Sequence, residues 1–135
     1  SPATTPTKIT AIKAEIGDRL GIFGGLGGVF LLDELKRGSI GAMTGFAYPE
    51  ILVKICYLME KGDIKAAEDI FYQYLPLIQF EQQEGIGLAI RKAGLNLRGL
   101  IKSRTVRHPS GQLAADTLEE LKAIINRVGL TFPND

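Results

Sequence analysis

The sequence predicts an α/β fold with parallel strands, and three observations carry that prediction. Between residues 6 and 62, short apolar runs ended by glycine alternate with stretches of helical spacing. The segment between the two apolar runs has the length of a crossover helix, which returns the chain in the same direction. From Asp63 onward the spacing is helical throughout.

Thr5 followed by Pro6 is a helix start, with threonine as cap and proline in the first turn, and Ile9, Ile12 and Ile16 then line one face until Gly17. "LGIF", residues 20–23, is too short for a helix and is read as a strand ended by Gly24 and Gly25. Helical spacing returns from Val29 and stops at Gly38. "IGAMTGF", residues 40–46, is the second strand, and a helix opened by Pro49 closes at Gly62. Beyond it lie a helix with Pro76 expected to kink it, a second helix weakened by Gly94, and a third behind a capping box of Thr117 and Glu120. Two strands do not make a self-sufficient parallel sheet, because such sheets need covered faces and edges. Neighbouring strands must come from elsewhere.

Composition narrows the function classes. The 135 residues are 45% apolar and 23% charged, which suits one domain with a real core. Net charge is +1 and no run of like charge reaches five, so there is no nucleic-acid footprint and no polybasic membrane patch. Cys56, the single cysteine, excludes an internal disulfide and a cysteine-rich metal site, and is expected to be a buried small hydrophobe. The start "SPATTPTK" lacks the charged and apolar regions of a signal peptide, and no stretch is long enough for a membrane span, so a cytoplasmic location is expected. A first residue other than methionine, in a Pro/Thr-rich stretch, suggests a piece of something larger.

The stretch "GIFGGLGGVF" holds the most chemistry. It lacks the Lys-Ser/Thr of a P-loop, and Phe30 occupies the place of the last glycine of G-x-G-x-x-G. Gly24 and Gly25 follow a strand and Gly27 and Gly28 precede a helix, where α/β folds place ligands. Two readings stay open: a backbone wall against a ligand, or a tight turn with close strand–helix packing. Thr44 and Gly45 hold the equivalent place after the second strand. His108 is expected at the surface, Glu81 to Glu84 in a solvated turn, and Tyr72 and Tyr74 in core or interface. The residues show no metal-ligand spacing and no Ser-His-Asp arrangement.

In order along the chain, "IFGGLGG", "RGSIGAMTGFAYPEILVKI", "GDIKAAEDIFYQYLPLIQFEQQEGIGLAIRK" and "RGLI" resemble the C-terminal half of the dihydrodipicolinate synthase and N-acetylneuraminate lyase family. The likeness is closest to the branch that includes 2-keto-3-deoxy-L-arabonate dehydratase. It implies the C-terminal part of a TIM (β/α)8 barrel, residues 1–62 holding the last two strands and their helices and 63–135 a C-terminal helical extension. It further implies a Schiff-base-forming lyase acting on a 2-oxo acid or 3-deoxy sugar acid, with no cofactor and no metal. The catalytic lysine would precede this chain, so no catalytic residue is assigned here. Gly24, Gly25, Met43 and Thr44 match the family's substrate-binding wall, while Leu26 stands where some relatives carry an acidic residue. The implied partners are the N-terminal half of the same barrel and further copies in a homo-oligomer. A rival reading is a non-catalytic helical oligomerisation module; a half barrel without its partner should expose Ile22, Phe23, Ala42 and Met43.

Overall fold

Glycine and proline punctuate the chain much as their backbone preferences require. The computed structural model describes residues 6–133, so the Thr5 cap lies outside the described residues. Helix α1 (Pro6–Ile16) is followed by Gly17 at φ +59°, a left-handed turn that stops it. Of its expected apolar face only Ile9 is buried; Ile12 is exposed and Ile16 half-buried.

The strands are shorter than the apolar runs suggest. Strand β1 is Phe23–Gly24 and β2 is Gly41–Ala42, paired in parallel with Phe23 opposite Gly41 and Gly24 opposite Ala42. Each has one neighbour, and local hydrogen bonds pull the chain out of the ladder. After β1 the Gly28 N–H donates to the Gly25 carbonyl at 3.1 Å, opening a 3-10 turn over Leu26–Gly28. After β2 the Phe46 N–H donates to Thr44 Oγ1 at 3.1 Å, a side-chain turn that competes with further pairing. The 3-10 turn also delays the crossover helix α2, which runs Leu31–Lys36 rather than from Val29.

The chain divides into two compact units, Ser1–Gln73 and Tyr74–Asp135, the boundary falling within helix α4 (Ile64–Phe80). In the first unit α2 and α3 (Pro49–Glu60) pack together, with Leu31, Leu32 and Ile55 sealed from solvent. In the second, α5 (Gly87–Leu97) packs on α6 (Ala115–Arg127), with Ile90, Leu121 and Ile125 fully buried. Helix α4 runs continuously through Pro76, whose missing N–H leaves the Tyr72 carbonyl without its usual donor on an exposed face. The expected capping box is displaced: α6 begins at Ala115, two residues before Thr117, and Asp116 Oδ1 takes the Thr117 N–H at 2.8 Å. A carboxylate adjacent in the chain serves the first-turn donor, so Thr117 lies inside the helix.

Ile55 and Val53 share α3 but differ in burial, 0% against 66% exposed. Ile55→Ala is expected to cost about 2–5 kcal/mol and Val53→Ala less than about 0.5 kcal/mol in urea unfolding.

Candidate functional site

Parallel pairing sets the C-terminal ends of β1 and β2 side by side, and this brings the four predicted wall residues together. The Met43 N–H donates to the Gly24 carbonyl at 2.9 Å, with Gly25 and Thr44 one residue further along each strand. Beneath them the buried Ser39 hydroxyl lies 2.7 Å from the Gly41 carbonyl oxygen and 3.1 Å from that of Ile22. The Ile40 N–H donates to the Ile22 carbonyl at 2.9 Å. The ends are thus fixed at two levels.

The face they present is apolar and open. Met43 is 81% exposed and Phe23 59%, whereas Ile22 and Ala42 are half-buried. Leu26, Gly27 and Gly28 all have positive φ, at +49°, +65° and +89°. Glycine adopts these values without strain; Leu26 does not, and is held there by the turn.

Gly24 has a specific reason to lack a side chain. A Cβ there would lie 1.7 Å from Glu34 Oε2, because the carboxyl group of α2 fills that space. At this position the glycine therefore serves close strand–helix packing. Phe23, one residue earlier, points the opposite way by strand alternation. The Glu34 side chain is fully buried and neither carboxyl oxygen has a hydrogen-bond partner among the described residues. Burial pushes its pKa above the ordinary value of 4.5; the nearby Gly25 N–H opposes the shift without reaching hydrogen-bond geometry, and the Asp33 charge adds to it.

The remaining candidates separate. Cys56 is half-buried rather than buried, because α3 turns it toward an open cleft of about 270 Å³ lined by Phe23, Ala42, Thr44, Leu52 and Val53. Burial pushes its thiol pKa up, which keeps it protonated and weakly nucleophilic. Glu81, expected in a solvated turn, is 2% exposed, since it lies at the end of α4 on the same face as Leu77 and Ile78. Glu84 and His108 are exposed. Among the described residues no group of three His, Cys, Asp or Glu could hold a metal ion, and no helix is long and apolar enough to cross a membrane. A larger cleft of about 640 Å³ lies between α5 and α6, lined by Asn96, Glu119 and Lys122 among others, and carries none of the strand-end features.

Sequence reasoning missed Glu34 and Ser39. Glu34 sits three residues after buried Leu31 on a short helix, and that spacing was the available sign that it shares the buried face.

A backbone-lined site at the ends of parallel strands, backed by crossover helices, defines an α/β barrel-type or doubly wound protein class. The particular family is also fixed: the chain matches the Dihydrodipicolinate synthetase family over residues 3–128 and belongs to it. It is 35% identical over 100 residues to L-2-keto-3-deoxyarabonate dehydratase of Azospirillum brasilense, covering 74% of this chain and 32% of that protein. Its structure matches dihydrodipicolinate synthase of Rhodopseudomonas palustris with a TM-score of 0.84 and 38% identity, over 90% of this chain and 42% of that one. A monomeric dihydrodipicolinate synthase variant shares the fold at 19% identity and a TM-score of 0.82, over 97% of this chain and 44% of that one. The chain therefore spans less than half the length of these relatives, and its small parallel sheet is consistent with part of a TIM barrel.

Glu34 holds its proton more tightly folded than unfolded, so the stability it lends is present below its ordinary pKa and is lost as pH rises through the raised folded value. Glu34→Gln removes that loss. The variant is expected to be more stable than wild type near neutral pH, with the difference shrinking as pH falls toward the ordinary carboxyl range, in urea melts at a series of pH values.

Proposed function

We propose that this chain is the C-terminal part of a Schiff-base lyase on a TIM barrel, with β1 and β2 as the seventh and eighth barrel strands. On this reading residues 1–62 close the barrel and residues 63–135 form a C-terminal helical extension. The observation that carries it is the 2.9 Å hydrogen bond from the Met43 N–H to the Gly24 carbonyl. It aligns two strand ends whose backbone and apolar surface form a wall, while neither strand carries a nucleophile.

The chemistry follows from that division. A lysine amine supplied by the preceding part of the barrel attacks the 2-oxo carbon of the substrate. Loss of water gives an iminium, which takes up the electron pair released by carbon–carbon cleavage, or by proton removal ahead of hydroxyl loss. The reaction requires no metal or organic cofactor. Gly24, Gly25, Met43 and Thr44 confine the adduct and contribute peptide dipoles without reacting. Lys13 is not the amine: it lies on α1 with its Nζ 2.7 Å from Asp18. The dehydratase relative favours 2-oxo-3-deoxy sugar acids as the substrate class, and the partner is the N-terminal half of the barrel.

Exposure of Phe23, Met43 and Val53 also suits the second reading, a helical module that self-associates through the former barrel face. The two part in one experiment. Borohydride reduction in the presence of pyruvate is expected to leave the mass of this chain unchanged and to add one reduced pyruvyl group to the longer protein that holds the lysine. An adduct on this chain alone overturns the assignment of the nucleophile, and no adduct on either overturns the lyase reading.

A further inference from the structure

Ser39 carries a buried hydroxyl that the proposed chemistry leaves without a task. It follows Gly38, whose φ of +99° turns the chain out of α2, and its own N–H donates to the Glu34 carbonyl at 3.0 Å. The backbone beneath the hydroxyl is thus held from the helix side. Only 6% of the residue is exposed, and a polar group at that depth is costly unless it is hydrogen-bonded. Here the hydroxyl is bonded as acceptor and as donor. Its oxygen accepts the Gly41 N–H at 3.3 Å, and its proton has the Gly41 carbonyl oxygen at 2.7 Å and that of Ile22 at 3.1 Å.

These partners belong to both sides of the parallel ladder. Gly41 opens β2, and Ile22 immediately precedes β1. The Ile22 carbonyl also accepts the Ile40 N–H at 2.9 Å, so main chain and side chain converge on one oxygen. Part of the link between the strands therefore runs through a serine side chain. Strand β2 ends at Ala42, and the next residue, Met43, gives the N–H that meets the Gly24 carbonyl at 2.9 Å. So short a strand leaves nothing to absorb a shift of the Gly41 peptide before it reaches the strand end.

We propose that Ser39 is a positioning residue of the strand-end site: its hydroxyl, bridging Gly41 and Ile22 below the site, sets the alignment of β2 on β1 and through it the place of the Met43 and Thr44 peptides against a bound 2-oxo acid. This deepens the lyase reading given above and rests on it. Ser39 acts through the backbone of β2 and does not touch substrate.

The test is borohydride trapping of pyruvate on the longer protein that holds the lysine, in wild type, Ser39→Ala and Ser39→Thr, with Ile55→Val as a core variant of reduced stability. The pyruvate concentration for half-maximal trapping should rise about tenfold in Ser39→Ala and stay within about threefold of wild type in Ser39→Thr, which keeps the hydroxyl. The trapping rate at saturating pyruvate should stay within about twofold throughout, because the amine lies on another strand. Ile55→Val lowers stability without touching the bridge, and its half-saturation should match wild type. An unchanged half-saturation in Ser39→Ala overturns the proposal, as does an equal rise in Ile55→Val. Should Ser39→Ala not fold, Ser39→Cys decides, since a thiol keeps the size and is a weak hydrogen-bonding group: a raised half-saturation supports the bridge, and the wild-type value overturns it. Absence of any adduct on the wild-type protein is a different failure, which overturns the lyase reading and the role of Ser39 with it.

Discussion

Two strands of two residues each are held parallel by very few bonds, and the candidate site depends on that alignment. The Ile22 and Gly24 carbonyls accept the Ile40 and Met43 amides at 2.9 Å each, and Ser39 ties the carbonyls of Ile22 and Gly41 through one hydroxyl. A ladder this short has little stability of its own. It persists because the crossover helix α2 buries Leu31 and Leu32 and because α3 seals Ile55 in the same unit. Core packing therefore fixes the strand ends, and the strand ends fix the backbone groups of the site.

The parts of this arrangement legible in the sequence are those with a periodic or punctuating signal. Pro49 and Gly62 bracket α3 closely, and the glycines and the threonine that end the two apolar runs fall just past β1 and β2. The lengths of the strands were not legible, because an apolar run records burial and not pairing; Thr44 and Gly25 end the ladder through local hydrogen bonds that leave no pattern in composition. Glu34 and Glu81 were hidden for a related reason. A charged residue is ordinarily taken for surface, and only its spacing from Leu31 or from Leu77 and Ile78 tells otherwise. The capping box failed because Asp116, one residue ahead of Thr117, competes for the same donor.

Two readings of the glycine stretch stood open from sequence, and the structure assigns packing to Gly24 on one side of the chain. The space of its missing side chain belongs to a carboxyl group of α2. Gly27 and Gly28 answer a different demand, the left-handed backbone that turns the chain into the crossover. Glycines adjacent in sequence thus satisfy separate physical requirements, and a single explanation for the whole stretch fails. Leu26, left-handed without being glycine, marks where the turn is imposed by its surroundings.

That separation bears on what the wall can contribute to a reaction. Gly24 is buried, and with one side of it filled by Glu34 the backbone at β1 has little freedom to retreat. Rigid peptide dipoles stabilise charge without reorganising, which is the useful property for a group that binds an iminium adduct and does no bond making itself. On the proposed reading this chain contributes an apolar face at Phe23 and Met43 and backbone amides at the strand ends, with the buried Glu34 behind them. The two described strands, Phe23–Gly24 and Gly41–Ala42, carry no nucleophilic side chain, so the proposed reading takes its amine from another strand. Division of labour between a reacting strand and its supporting neighbours is what a closed barrel makes possible, since each strand end delivers its residue to the same space.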